Sequence, residues 1–417
     1  MTRRRADRPD KPRPSRVTRS TREFVLFCCA AVTVCVILKC PSLLYPRTEG
    51  DERIYWQLAQ HLALTGEYTL RGSPILQEVS RDMYDRPLFH HPPLFPALLS
   101  LFARADLENA AVLVSWLGHA LVVIAVAIVG RHLLKRGRAD RSIQSPAFWL
   151  PVLAVSADPL LMFVSRRIWI DSLLAGLVAL SVALLVIVEG AEGGRRRTML
   201  AAAGALLGLA ALAKLTALLL VPVFAFACVR DEDTWAGRAA SMAVVLVAMG
   251  LFVAPWLVVF YLQYGVLFPS WVKPDARLME LYPFVRAAVE RPWYYYAAKL
   301  VLVMPLALVA VWALVRERPL WSSRTVQIAM AWFGVVVVTL TWLGIDGYGF
   351  QMRHIAPAVA ALYVVVLALL VDRDRPWLQM VCAFAMLVGT VTGAMHLLAP
   401  QFDEIVSLAR VAGLLAY

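Results

Sequence analysis

The sequence predicts an all-α, polytopic helical membrane protein with about 11 transmembrane helices and interfacial helices in its first external loop. Three observations carry that prediction. The 417 residues are 60% hydrophobic and 17% charged, with a mean hydropathy of +0.66, whereas soluble domains are nearer half apolar and a quarter charged. The apolar residues fall in blocks of roughly 17–25, the length that crosses a hydrocarbon core. These blocks lack the alternation of barrel strands, which leaves helices as the way to satisfy the backbone in lipid. Finally, Arg and Lys collect between alternate blocks, which orients the chain by the positive-inside rule.

Taken in order, residues 1–23 hold nine Arg and Lys with almost nothing apolar, and read as a disordered cytoplasmic tail near anionic headgroups. No small-residue cleavage site closes the next apolar run, which argues against a cleaved signal peptide. The first span is Phe24–Leu38, extended toward Leu44 and running outward. Residues 41–91 form the first external loop. Pro92–Phe102 is apolar over only eleven residues, too short to cross and suited to an interfacial or re-entrant helix. The span Ala110–Gly130 ends in five basic residues within 131–141 and so runs inward. Counting Pro92–Phe102 as a full span would put that basic loop outside.

The remaining spans alternate outward and inward at 147–164, 171–189, 199–213, 215–229, 239–262, 297–315, 326–344, 355–371 and 378–398. The transmembrane domain is thus 24–398, with a second large external loop at 263–296 and a short external C-terminal tail at 399–417. The small-residue pairs Gly204/Gly208 and Gly389/Gly393 point first to close helix packing within one subunit.

The net charge of +12 follows this topology and does not imply nucleic acid. Cys28, Cys29, Cys35, Cys40, Cys228 and Cys382 have no metal-ligand spacing and read as small hydrophobes. Asn109 is the only asparagine, so no N-glycosylation sequon exists, and the excess of Arg over Lys suggests a GC-rich, bacterial source. Asp231-Glu232-Asp233 and Asp372-Arg373-Asp374 mimic a nucleotide-sugar metal motif, but each falls in a short cytoplasmic turn beside arginines.

Chemistry concentrates on the outer side. Asp51 and Glu52 open a stretch in which Ile54, Leu58 and Leu62 recur at helical spacing and Gly66 offers a stop. Asp51 reads either as a functional carboxylate or as a helix cap favoured by the macrodipole. His90 and His91 precede two prolines that hold an extended approach into the short apolar helix. Adjacent histidines rarely bind one ion together, so a phosphate-facing donor or a headgroup-level anchor fits better. Asp171, Lys214 and Arg353 fall on the outer side as well, and ionisable groups at such depth are functional candidates. Asp158 lies in the outer half of its span and reads as a cap before Pro159.

A DE-x-x-Y element (Asp51, Glu52, Tyr55) after the first span, followed about forty residues on by His91-Pro92-Pro93-Leu94, resembles the GT-C glycosyltransferases. The protein O-mannosyltransferase-like group and the lipid A aminoarabinose transferases are the most similar. Further on, Gly208–Pro222 resembles the family's glycine-rich helix and lysine turn. Arg291–Pro305 resembles its aromatic re-entry, and Met352–Tyr363 its arginine-tipped late helix. The order and topological side of these elements, over roughly residues 25–370, carry the resemblance. Two departures are His91, where a basic residue often precedes the prolines, and the absence of the soluble domain that many relatives carry after the last span.

The resemblance implies a sugar donor linked through phosphate to a polyprenyl lipid, and a lipid, glycan or protein hydroxyl as acceptor. It implies transfer of a hexosyl or pentosyl group by inverting single displacement. Asp51 would be the base, with Glu52 and Asp171 orienting the acceptor or steadying the anomeric centre. His90, His91, Lys214, Arg353 and the Lys273/Arg277 stretch would hold the phosphate. The scheme requires no cofactor, although a divalent metal at Asp51/Glu52 stays open. The expected location is the bacterial inner membrane with the active site on the periplasmic side. A lipid-linked sugar flippase and a non-catalytic GT-C relative remain as alternatives. A transporter would be expected to show internal repeats and a midplane site, and neither is visible.

Overall fold

The computed structural model describes residues 16–44, 50–77, 85–136, 144–229, 234–268, 279–280, 283–372 and 376–398. Among these there are helices and no strand. Helix α1 (Arg16–Lys39) is followed by α2 (Gly50–Thr65), which closes at Gly66 with φ +76°, and by the short apolar α3 (Leu94–Ala103). Then come α4 (Leu113–Arg136), α5 (Pro146–Ser156), α6 (Pro159–Ser165), α7 (Ile170–Val188) and α8 (Gly193–Ala213). After a 3-10 turn at Leu215–Leu220 the chain continues into α9 (Val221–Cys228) and the 30-residue α10 (Trp235–Tyr264). The remainder is α11 (Pro283–Val289), α12 (Tyr295–Val303), α13 (Pro305–Arg316), α14 (Arg324–Leu343), α15 (Ala356–Asp372) and α16 (Pro376–Leu398).

All eleven expected spans are helical, while the exact count of 11 crossings is not reproduced. Among the described residues, eight helices are long and apolar enough to cross a membrane, or nine if one bent pair is a single span. The chain is an integral membrane protein. Three of the expected spans lie outside those eight. The first, Leu215–Cys228, opens with a 3-10 turn and is too short. The second is expected at 297–315 and bends by 103° between α12 and α13. There Pro305 has no N–H to continue the ladder, and it disfavours helical φ/ψ at Met304, which sits at φ −127° and ψ 83°. The third, expected at 378–398, lies in the 23-residue α16, of which Gln379–Val391 is the apolar part that the described side chains cover. By contrast, Pro146–Ser165 passes as one span even though Asp158 interrupts it.

Close crossings hold the bundle. A Cβ on Gly118 of α4 would lie 2.2 Å from the Ser172 carbonyl oxygen, and one on Gly176 of α7 would lie 2.3 Å from that of Gly118. Gly204 and Gly208 of α8 meet the Val245 and Met249 carbonyls of α10 in the same way, so that small-residue pair packs within the subunit. Ser172 Oγ donates to the Ser115 carbonyl at 2.6 Å and fixes the α4–α7 register. Gly176→Val should therefore push α7 off α4 and cost at least about 1–3 kcal/mol. The readout is the unfolding midpoint in detergent, and an unchanged midpoint would contradict the crossing. The cysteines are free; Cys35 accepts a hydrogen bond from buried Lys39 at 3.0 Å.

Basic and acidic groups at the far end of α7 from Asp171 form a separate cluster. Arg136 pairs with Glu189 at 2.7 Å, and Arg324 approaches the same carboxylate at 3.8 Å.

Candidate active site

Helix α2 carries Asp51 in its first turn, where a carboxylate complements the N-terminal dipole. Tyr55 follows four residues later on the same face. Ile54, Leu58 and Ala59 are buried and pin the helix against the bundle, which aims Asp51 and Tyr55 into a cavity of about 200 Å³. Asp51 is half-buried, with 39% of its side chain exposed, and its Oδ2 accepts from Arg353 Nη2 at 2.5 Å.

Arg353 organises the charged wall. It sits in a 3-10 turn at Met352–Ile355 that precedes α15. Its guanidinium lies over the Trp169 ring at 4.9 Å, and its Nε donates to Gln351 Oε1 at 2.8 Å. The same Nε stands 3.8 Å from Asp171 Oδ2. Asp171, only 2% exposed in the first turn of α7, accepts from Lys214 Nζ at 2.8 Å. Lys214 reaches it because it is the extended residue (φ −152°, ψ 125°) between α8 and the following 3-10 turn. Two carboxylates and two cations from four separate elements thus line one cavity. The deeper wall is apolar, formed by Leu174, Val178, Leu219, Leu220, Val336 and Leu340.

His91 completes the polar wall. The Tyr55 hydroxyl lies 3.0 Å from His91 Nδ1, while the Tyr68 hydroxyl reaches the His91 and Pro92 carbonyls, each at 3.0 Å. Burial, reinforced by the Lys214 and Arg353 cations against the opposing effect of Asp171, pushes the His91 imidazole down to about 3. It is therefore neutral at physiological pH. Burial also holds the Tyr55 phenol well above its ordinary range, so its proton stays on.

Of the residues expected from sequence, Asp51, Asp171, His91, Lys214 and Arg353 share this cavity. His90 does not line it and packs instead between Phe89 and His91. Glu52 points the other way on α2 and is fully buried. Its Oε1 accepts the Ile168 N–H at 2.8 Å and its Oε2 pairs with Arg167 at 3.1 Å. That carboxylate ties α2 to the turn before Asp171 and so holds the two cavity acids in register. Glu52→Gln keeps an oxygen for Ile168 but loses the charge facing Arg167, at a cost of about 1.5–3 kcal/mol in stability. Turnover should fall less than for Asp51→Asn; an equal fall with an unchanged unfolding midpoint would make Glu52 a reacting group. Lys273 and Arg277 lie outside the described residues. Asp158 caps α6, accepting from Leu161 N at 2.9 Å, and takes a second bond from the Tyr363 hydroxyl.

Sequence reasoning gave no role to Tyr55, Thr216 or His354, all on the cavity lining. The i,i+4 spacing from Asp51 was the available signal for Tyr55. Among the described residues no group of three or more His, Cys, Asp and Glu stands where it could hold a metal ion.

The stretch from residue 89 to residue 339, more than half of the chain, matches the model of glycosyltransferase family 87. The chain belongs to glycosyltransferase family 87. This family 87 stretch contains His91, Asp171 and Lys214, while Asp51 and Arg353 flank it. No curated protein sequence matches the chain. In fold the family 87 chain is similar to the crystal structure of ArnT from Cupriavidus metallidurans bound to undecaprenyl phosphate. That match has a TM-score of 0.61 at 20% identity, over 91% of this chain and 65% of ArnT. The apo state of the same ArnT gives a TM-score of 0.60 at 20% identity, with the same coverage of both chains. An archaeal oligosaccharyltransferase, AglB from Archaeoglobus fulgidus with an inhibitory peptide and a dolichol-phosphate, gives 0.51 at 13% identity. It matches over 93% of this chain and 56% of AglB. The chain thus spans about two thirds or less of the length of these structures, which share its GT-C fold.

Proposed function

We propose that this protein transfers a hexosyl or pentosyl group from a polyprenyl-phosphate donor to a hydroxyl acceptor on the periplasmic face of a bacterial inner membrane. The observation that carries the reading is the Arg353 guanidinium, set between Asp51 and Asp171 on the lining of a cavity whose other wall is apolar. A polyprenyl-phosphate sugar needs such a pairing. Its phosphate asks for cations, its isoprenoid for an apolar wall, and its acceptor for a carboxylate base. The ArnT and AglB structures hold undecaprenyl phosphate and dolichol-phosphate, which supports the same class of donor here.

In this scheme the acceptor oxygen attacks the anomeric carbon as its proton passes to Asp51. The bond between that carbon and the phosphate oxygen breaks, and the electron pair leaves with the phosphate. Lys214 and Arg353 neutralise the charge that develops there. Attack opposite the leaving group inverts the anomeric configuration. Asp171 keeps Lys214 and Arg353 in place through its two oxygens.

The test is a transfer assay on the purified protein with a panel of polyprenyl-phosphate sugars. One member should be consumed with release of polyprenyl phosphate and an inverted product; transfer from nucleotide sugars alone would overturn the reading. The side of the membrane is tested separately by labelling single cysteines from outside. A cysteine at position 67 should react and one at position 137 should not. The reverse would put Asp51 in the wrong compartment.

A further inference from the structure

Among the described residues, the fixed charges lining the cavity sum to zero. Asp51 and Asp171 oppose Lys214 and Arg353, and each cation already has a carboxylate partner. A donor phosphodiester adds one negative charge to this set. The polyprenyl phosphate left after transfer is a monoester and adds nearly two. A further cation on the wall would therefore hold the spent lipid more firmly than the fresh one, because Coulomb attraction scales with ligand charge.

His91 occupies the place on the wall where such a cation would act. It lines the cavity with Lys214 and Arg353, and its backbone is clamped by the Tyr68 hydroxyl. Tyr55 faces its Nδ1 at 3.0 Å. With the phenol donating to Nδ1, the ring proton sits on Nε2 and is available as a neutral donor. The low affinity of this buried imidazole for a second proton agrees with a neutral ring. His354, the other imidazole on the lining, is left unchanged in every variant below.

We propose, resting on the donor reading above, that His91 is a specificity-determining residue for the phosphate. By offering a hydrogen bond and no charge, it matches the cavity to a phosphodiester monoanion over a phosphomonoester dianion, so that the spent lipid leaves readily.

The experiment measures binding of undecaprenyl phosphate and of its methyl diester to the full chain in nanodiscs at pH 8, where the monoester is dianionic. The wild type should bind the diester at least as tightly as the monoester. His91→Lys should raise monoester affinity relative to diester affinity by about ten-fold or more. His91→Gln, which keeps a neutral donor, should leave the ratio within about three-fold of wild type. The inference is overturned if the wild type prefers the monoester by more than about ten-fold. It is equally overturned if His91→Lys binds both lipids at the wild-type ratio, or if His91→Gln moves the ratio as far as His91→Lys does. If neither lipid binds the wild type, the donor reading itself falls and this inference falls with it; an altered ratio with both lipids bound tests His91 alone.

Discussion

Asp51→Asn should abolish sugar transfer while the protein still folds. Asparagine is nearly isosteric, and its Oδ1 can still accept the Arg353 bond that now ends on Asp51 Oδ2. What it lacks is a site for the acceptor's proton, and loss of a general base typically costs about 10²–10⁴ in rate. If Asp51 served only the helix start, asparagine would serve nearly as well and turnover would hardly change. The measurement is steady-state transfer beside an unfolding curve. Transfer within a few-fold of wild type would sink the assignment and move the base to Asp171. That residue is far less accessible and is already bonded to Lys214.

Arg353→Ala should weaken donor binding and slow transfer together. One charge-assisted phosphate contact contributes about 1.5–3 kcal/mol, or roughly ten- to a hundred-fold in affinity. A second effect adds to it: Asp51 and Asp171 would share the cavity with Lys214 as the cation nearest them, and their field would repel the incoming phosphate. Arg353→Lys should recover only part of the loss. An ammonium restores charge but cannot serve Asp51, Gln351 and the approach to Asp171 from one planar fork. Lipid affinity and turnover, measured on both variants, check this. Unchanged donor affinity in Arg353→Ala would reduce the residue to a strut between helices.

How much of this was legible in the sequence depends on the kind of signal. The fold class was legible because bilayer thickness writes itself into apolar block length. The number of crossings was not, because a hydropathy block is blind to where the backbone breaks. Pro305 turns one block through 103°, and the 3-10 turn after Lys214 shortens another. Of the site, Asp51, Asp171, His91, Lys214 and Arg353 were legible as ionisable groups at one end of apolar spans. Their pairing was not, since Asp51 and Arg353 lie about three hundred residues apart and meet only as an ion pair between α2 and the turn before α15. Glu52 shows the limit most clearly. Beside Asp51 it reads as a second acid of the same site, but one residue is 100° around a helix. That rotation turns it into the core, where Ile168 and Arg167 take its oxygens.

The central claim is that this cavity receives a polyprenyl phosphate with its charge on Lys214 and Arg353. The most direct test is a structure of the protein with undecaprenyl phosphate bound. The account predicts the phosphate within hydrogen-bonding distance of both Lys214 Nζ and the Arg353 guanidinium, beside His91, with the isoprenoid along Leu174, Val178 and Leu340. A phosphate held instead at the opposite end of α7, by Arg136 and Arg324 around Glu189, would contradict it.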